Sequence, residues 1–304
     1  MKKRKYDIIC VGDLCVDFIV RGNVRPQFNQ VEKMIDDYSI EMGGSSGIFA
    51  SGFAKLGGSI AIVGMSGVGV FDKFIKEKLL DAGVDTSLIK TDKNLKTGMT
   101  VVLTEPTDRA MLTHSGTIDA VTPDMISDKL VSSARHWHIT SYFLLGKMRH
   151  FWPVLFKRLK KAGVTISIDT NWDPSNKWLG VQELLSLADI FLPNENEALA
   201  LSGKSSVDSA GKALNKLCPL VVIKCGKNGA KAFFDGKILC AKPPSLRGAL
   251  IDTIGAGDNF DAGFIRAWLL GYSINRCLDT GLRCGTASVS GAGGVSAQLR
   301  EKLN

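Results

Sequence analysis

The sequence predicts an α/β fold: a mostly parallel sheet flanked by helices, with a small second β-sheet near the N-terminus. Three observations carry this prediction. Short apolar, β-branched runs end at a glycine or a carboxylate, as Tyr6–Gly12 and Thr165–Asp169 do. From Arg135 onward such runs alternate with amphipathic helical patterns, the arrangement that parallel strands and crossover helices require. Two stretches, about 18–42 and 97–115, are polar and alternating with little helical period. The 304 residues, 45% of them hydrophobic, suffice for one large domain, 1–304, with a substantial core.

Taken in order, Tyr6–Gly12 is a buried strand, and Asp13 and Asp17 follow it closely. Residues just past the ends of parallel strands line the ligand crevice, so one of these carboxylates either holds substrate hydroxyls or solvates the loop. Gly43 and Gly44 make a tight turn before a helix through Phe49, Phe53 and Leu56. Ser59–Gly64 is a strand. The glycines at 64, 67 and 69 do not complete a dinucleotide fingerprint, because its last position falls on Asp72. Phe71–Leu80 is an amphipathic helix. Met99–Thr104 and Ala110–Thr113 flank a turn through Pro106, Asp108 and Arg109, a hairpin that with 18–42 predicts a small sheet over the site. Arg109 and His114 on that hairpin either touch substrate or are simply solvated.

Trp137–Thr140 reads as a strand, Met148–Ala162 as a helix and Thr165–Asp169 as a strand, with Asp169 and Asn171 facing the crevice. His136 and His138 share one strand face with no third ligand near, which fits a packed or solvated pair better than a metal site. Ile190–Pro193 is a strand, and Asn194 and Glu197 open the helix after it. Their spacing serves a capping box or, equally, two oxygen ligands around a hydrated Mg²⁺. Pro219–Ala230 is a buried strand running through Lys224 into a turn with Gly226 and Gly229. Ile274–Val289 is a helix that closes on Gly291–Gly294.

The most informative stretch is Asp252–Phe264. Gly255, Ala256 and Gly257 lead into Asp258, and an apolar helical pattern through Phe260, Phe264 and Trp268 follows. A helix opening there leaves its first N–H groups unpaired and points its positive dipole end at the same spot. The stretch is therefore a Gly-rich cap or an anion hole with a proton acceptor at its edge, which suits phosphoryl transfer to a hydroxyl. The dipole predicts an ionised Asp258.

The run Asp252-Thr253-Ile254-Gly255-Ala256-Gly257-Asp258 resembles the C-terminal signature of the PfkB, or ribokinase-like, carbohydrate kinases, and other features of that family recur along nearly the whole chain. The resemblance implies a ribokinase-like fold with a β lid. It also implies ATP-dependent phosphorylation of a sugar or sugar-like hydroxyl, with Asp258 as base and Gly255, Ala256 and Gly257 as anion hole. Asp17, with Asp13 as second choice, matches the residue holding sugar hydroxyls, and Gly43 and Gly44 match the family's glycine pair. Asn194 and Glu197 match the Asn-x-x-Glu that organises Mg²⁺ and phosphate, and Asp169 and Asn171 a pair near the phosphate path. Lys224, Gly226 and Gly229 stand where the nucleotide's ribose and adenine are held. Asp252 marks a monovalent-cation site, such as one for K⁺. Two positions depart from the family pattern. Ile48 stands where a substrate-contacting Asn is usual, which bears on furanose recognition, and Val68 and Gly69 replace an acidic pair.

The net charge of +8 is scattered over lysines and the start Lys2-Lys3-Arg4-Lys5, with no basic stripe interleaved with aromatics, so no nucleic-acid partner is expected. The apolar run after that start is broken by Asp7, Gly12, Asp13 and Asp17 and reads as neither signal peptide nor membrane span. Seven scattered cysteines without a C-x-x-C pair read as reduced thiols of a cytoplasmic protein. Gly203-Lys204-Ser205 lacks the leading glycine of a Walker A loop, and no protein-kinase motif set is present. Three further readings stay open: a nucleoside or sugar-phosphate kinase, a catalytically silent ligand sensor on the same fold, and a dehydrogenase, which lacks its fingerprint. The small sheet predicts a homodimer through the lid.

Overall fold

The computed structural model describes residues 4–105, 108–246 and 248–304. Among these, the strands are β1 (Tyr6–Val11), β2 (Cys15–Arg21), β3 (Asp37–Gly43), β4 (Ile60–Ser66), β5 (Ile89–Thr91), β6 (Gly98–Thr104) and β7 (Arg109–His114). They continue with β8 (Ala134–Ile139), β9 (Thr165–Ile168), β10 (Ile190–Phe191), β11 (Leu220–Lys224), β12 (Ala230–Phe234) and β13 (Lys237–Ala241). Nine of them form one sheet in the order β13-β12-β11-β10-β9-β8-β1-β4-β5, parallel from β5 to β11 and antiparallel at β12 and β13. Strands such as β1 and β11 are continuous apolar runs because helices cover both faces. Trp137, Trp152 and Phe156 fill one side of the sheet, and Phe49, Phe53 and Phe264 the other.

The four remaining strands form a smaller sheet, β3-β2-β6-β7. The chain passes into it from β1 through Gly12, Asp13 and Leu14 alone. Gly12 has no room for a side chain, since a Cβ there would fall 1.9 Å from Thr140 Oγ1. Strand alternation puts Cys15, Asp17, Ile19 and Arg21 on one face of β2. The register extends this face into three rows: Glu41–Asp17–Thr100–Thr113, Ser39–Ile19–Val102–Met111 and Asp37–Arg21–Thr104–Arg109. Asp17, Ile19 and Val102 are buried, so this face turns toward the body of the molecule.

The expected excursion at 18–42 is thus two strands, β2 and β3, with no strand between residues 22 and 36. The helix expected from Met148 begins instead at Trp152, with Pro153 in its first turn, and Gly146–Met148 forms a separate 3₁₀ turn. Pro106 of the expected hairpin turn, and Lys2 and Lys3 of the basic start, lie outside the described residues.

Candidate active site

The helix Ala256–Leu269 opens at Gly255, whose φ of 70° is left-handed. A Cβ there would meet Gly294 Cα at 2.7 Å and Ile48 Cδ1 at 2.9 Å, so both the backbone angle and the space demand glycine. No side chain caps this end, which leaves the first-turn N–H groups to a ligand. They face a cavity of about 650 Å³. Its lining includes the polar side chains Asp258, Asp169, Asn194, Glu197 and Lys224 and the apolar ones Pro243, Leu250, Leu282 and Val289. Ile48 is buried against Gly255 and Gly294, so it packs behind the anion hole.

Asp258 stands in the first turn of the helix, at the cavity wall. Burial, reinforced by the charge of Asp169, pushes its carboxyl up to about 8 against the pull of Lys224. Burial thus opposes the helix dipole, from which an ionised Asp258 was expected. Ser45 Oγ accepts a bond from Asn171 Nδ2 at 2.7 Å. The same amide donates to Ser141 Oγ at 2.7 Å, and Ser141 donates to Asp13 Oδ1 at 2.6 Å. A hydrogen-bonded chain thus joins Asp13 to Ser45 across the ends of β1, β8 and β9. Ser141 and Asn171 hold left-handed φ angles of 52° and 54°, the kind of backbone strain that collects at functional sites.

Asp13 and Asp17 are both buried at this end. Burial pushes Asp17 up to about 6, with the charges of Asp13 and Asp252 adding to it and Arg109 opposing. A Cβ on Gly43 would fall 2.2 Å from Asp17 Oδ1, and one on Gly44, at φ 83°, 2.6 Å from the Asp13 carbonyl oxygen. The two glycines therefore make room for the two aspartates.

Asn194 and Glu197 form a complete capping box. Asn194 Oδ1 accepts from Glu197 N at 2.9 Å, and Glu197 Oε2 accepts from Asn194 N at 2.9 Å. Burial, then the charge of Asp169, raises the Glu197 carboxyl to about 7. Each carboxylate oxygen already takes one N–H, so the pair fits an ion held through water rather than directly.

Gly226 and Gly229 form the turn between β11 and β12, with φ of 53° and 94°, at the cavity rim. Lys224 turns away from that turn. Its Nζ lies 2.8 Å from Asp169 Oδ2 and 2.9 Å from Asp261 Oδ2, and about one van der Waals contact, 3.5 Å, from where a Gly257 Cβ would be. Burial alone would lower the Lys224 pKa, but the charges of Asp169, Asp261 and Glu197 raise it. Sequence reasoning missed Asp261, which is fully buried. The available signal was a carboxylate three residues past Asp258 on a helix face otherwise apolar. It also missed Ser45 and Ser141, for which local sequence offers no signal.

Asp252 Oδ1 accepts from Ile254 N at 2.9 Å and Oδ2 from Gly293 N at 3.0 Å, with Arg21 Nη2 at 3.8 Å. Arg109 Nη1 donates to Thr253 Oγ1 at 3.2 Å, on the loop that leads into the anion hole. His114 falls on the outer face of β7, one residue out of phase with Arg109, Met111 and Thr113, and so points away from the site. His136 and His138 are packed: His136 bonds Thr165 and Ser167, and His138 bonds Ser167. Burial lowers both imidazoles, so they are neutral core residues.

A model of the pfkB family carbohydrate kinases matches residues 5–300. An ATP-dependent ribose-1-phosphate kinase of Halopiger xanaduensis is 27% identical over 263 residues, 86% of this chain and 84% of that protein. A ribokinase of Haemophilus influenzae is 28% identical over 273 residues, covering 86% and 85%. Among solved structures, Arabidopsis thaliana ribokinase complexed with ribose and ATP superposes with a TM-score of 0.82 at 24% identity, covering 96% of this chain and 95% of that one. A chain from E. coli in complex with ATP and Mg²⁺ superposes at 0.83 and 21% identity, covering 97% and 96%. The chain belongs to the PfkB family of carbohydrate kinases and is an ATP-dependent phosphotransferase acting on a sugar or sugar-like hydroxyl.

Proposed function

We propose that the small sheet is a lid over the acceptor, and that Asp258 takes the hydroxyl proton as the γ-phosphoryl group arrives. The observation that carries this is the placement of Asp258 in the first turn of an uncapped helix, on the wall of a cavity that Pro243, Leu250, Leu282 and Val289 also line. These apolar side chains and the Gly226–Gly229 turn suit a planar base. The N–H groups of Gly255, Ala256 and Gly257 hold developing negative charge. Asp13 and Asp17 accept from acceptor hydroxyls, and the Ser141–Asn171–Ser45 chain fixes Asp13 against the ends of β8 and β9.

Asn194 and Glu197 would hold hydrated Mg²⁺, which when bound neutralises phosphate charge. For a monovalent cation the carboxylate of Asp252 is a poor fit. Its oxygens already brace Ile254 and Gly293, and Arg21 supplies positive charge beside it. The outer face of the lid carries Tyr38, Ile40 and Leu112, all exposed, which supports a homodimer formed through this face. Light scattering at micromolar concentration checks it: a monomeric mass overturns the dimer. The free thiols, six of seven buried, support a reducing, cytoplasmic setting.

The testing experiment is an ADP-release assay with ATP and a panel of pentoses, hexoses, sugar acids, sugar phosphates and nucleosides, run beside Asp258→Asn. Acceptor-dependent ADP release by the wild type, lost in the variant, is the expected result. Equal release by both overturns the assignment of the base.

A further inference from the structure

The inner face of the lid carries a charge that neither the nucleotide nor a neutral sugar accounts for. Its first row presents Asp17 and its third row presents Arg21 and Arg109, four residues or about 13 Å further along the strands. Arg21 is already engaged, with Asp37 at 3.2 Å, Ser39 at 3.2 Å and Asp252 at 3.8 Å. Arg109 differs. Among the described residues it has no carboxylate within ion-pair distance, and its side chain bonds only the hydroxyl of Thr253. It lines the same cavity as Asp258 and the anion hole. The strand that bears it is exposed throughout, including Met111 on its inner face at 59%, so this edge of the lid overhangs open space.

The same cavity carries the uncapped helix N-terminus and Lys227 to answer the nucleotide's charge, with Lys224 already held by Asp169 and Asp261. Asp258 lines it too, and Asp17, on the same face of the small sheet as Arg109, is buried four residues nearer β1. Carboxylates are ligands for hydroxyls. An unpaired guanidinium among them is a ligand for an oxyanion, which its planar fork grips through two parallel bonds.

We propose that the acceptor carries an anionic group, a carboxylate or a phosphate ester, and that Arg109 receives it by leaving Thr253. This deepens the kinase reading and rests on it. The acceptor lies with its hydroxyls toward Asp13 and Asp17 and its oxyanion under the edge of the lid.

The test compares matched acceptors: an aldose with its aldonate, and an aldose with its phosphate monoester. Wild type and Arg109→Met are assayed for kcat/KM on each, and binding of each acceptor to wild type, Arg109→Met and Asp258→Asn is measured by calorimetry. Wild type should favour one anionic member over its neutral partner, and Arg109→Met should shrink that ratio by about 10- to 100-fold, the worth of a charge-assisted contact. The two pairs separate carboxylate from phosphate. A wild type that favours neutral acceptors, or a ratio that Arg109→Met leaves unaltered, overturns the proposal. The latter would place Arg109 on the transferring phosphoryl group. An anionic acceptor that wild type binds without turnover faults the kinase reading and leaves Arg109 to be judged on binding. Binding of no anionic member faults Arg109.

Discussion

Two cations border the same cavity and behave differently. Lys224 is buried and held by Asp169 and Asp261, so one ammonium ties β11, β9 and the anion-hole helix together. Arg109 sits on an exposed edge strand and touches one hydroxyl. Both are positive and both face phosphate chemistry, yet burial separates their uses. A desolvated charge cannot lose its partners without a large cost, so Lys224 is part of the frame. An exposed one exchanges partners at little cost, so Arg109 is free to meet a ligand.

The largest expected effect lies at Asp258, in the cavity both cations border. Asp258→Asn should lower turnover by roughly 10²–10⁴-fold, the usual worth of a general base, with little change in binding of an ATP analogue. Loss of nucleotide binding as well would make Asp258 a structural residue instead. Next comes the frame. Lys224→Met leaves Asp169 and Asp261 buried without their counter-charge and should cost about 3–5 kcal/mol in urea unfolding. A smaller loss would erase the contrast with Arg109.

The same variant has a pH signature. As the proposed base, Asp258 has to be a carboxylate, so activity is expected above its pKa and falls as the pH drops through it. Removing the nearby positive charge favours the protonated form and should move the acid limb of kcat to higher pH. An unmoved limb would mean that Lys224 acts through packing alone. Glu197→Gln should raise the Mg²⁺ concentration needed for half-maximal turnover while circular dichroism stays as in wild type. Unaltered Mg²⁺ dependence would return the pair to a helix cap. The smallest effect concerns Arg21, the cation already engaged beside Asp252. Exchanging K⁺ for a large organic cation should leave wild-type turnover unaltered, and a clear K⁺ requirement would show that Arg21 does not stand in for the ion.

The contrast also explains which parts of the molecule the sequence revealed. The parallel sheet was readable because continuous apolar runs such as β1 and β11 can only be strands buried on both faces. The turn into the Ala256–Leu269 helix was readable because Gly255 meets a demand that is local: a left-handed turn with no room for a Cβ. The pairing of Lys224 was not readable, because its partners Asp169 and Asp261 lie 55 and 37 residues away. The protonation of Asp258 escaped for the same reason. The dipole is read from the helix start, but the desolvation comes from the whole cavity. His114 required the strand register to place, and one residue of phase decided its face.

The three-residue passage from β1 into the lid has a mechanical consequence. Asp13, its middle residue, is pinned to Ser141, Ser45 and Ser46, which makes this point a fulcrum. The strands of the small sheet then act as a lever arm roughly 26 Å long, with Asp17 about halfway out and Arg109 near the tip. A rotation of about 10° would carry the tip roughly 4–5 Å and Asp17 about half as far. The stroke is greatest where Arg109 sits, far enough to make or release a hydrogen bond.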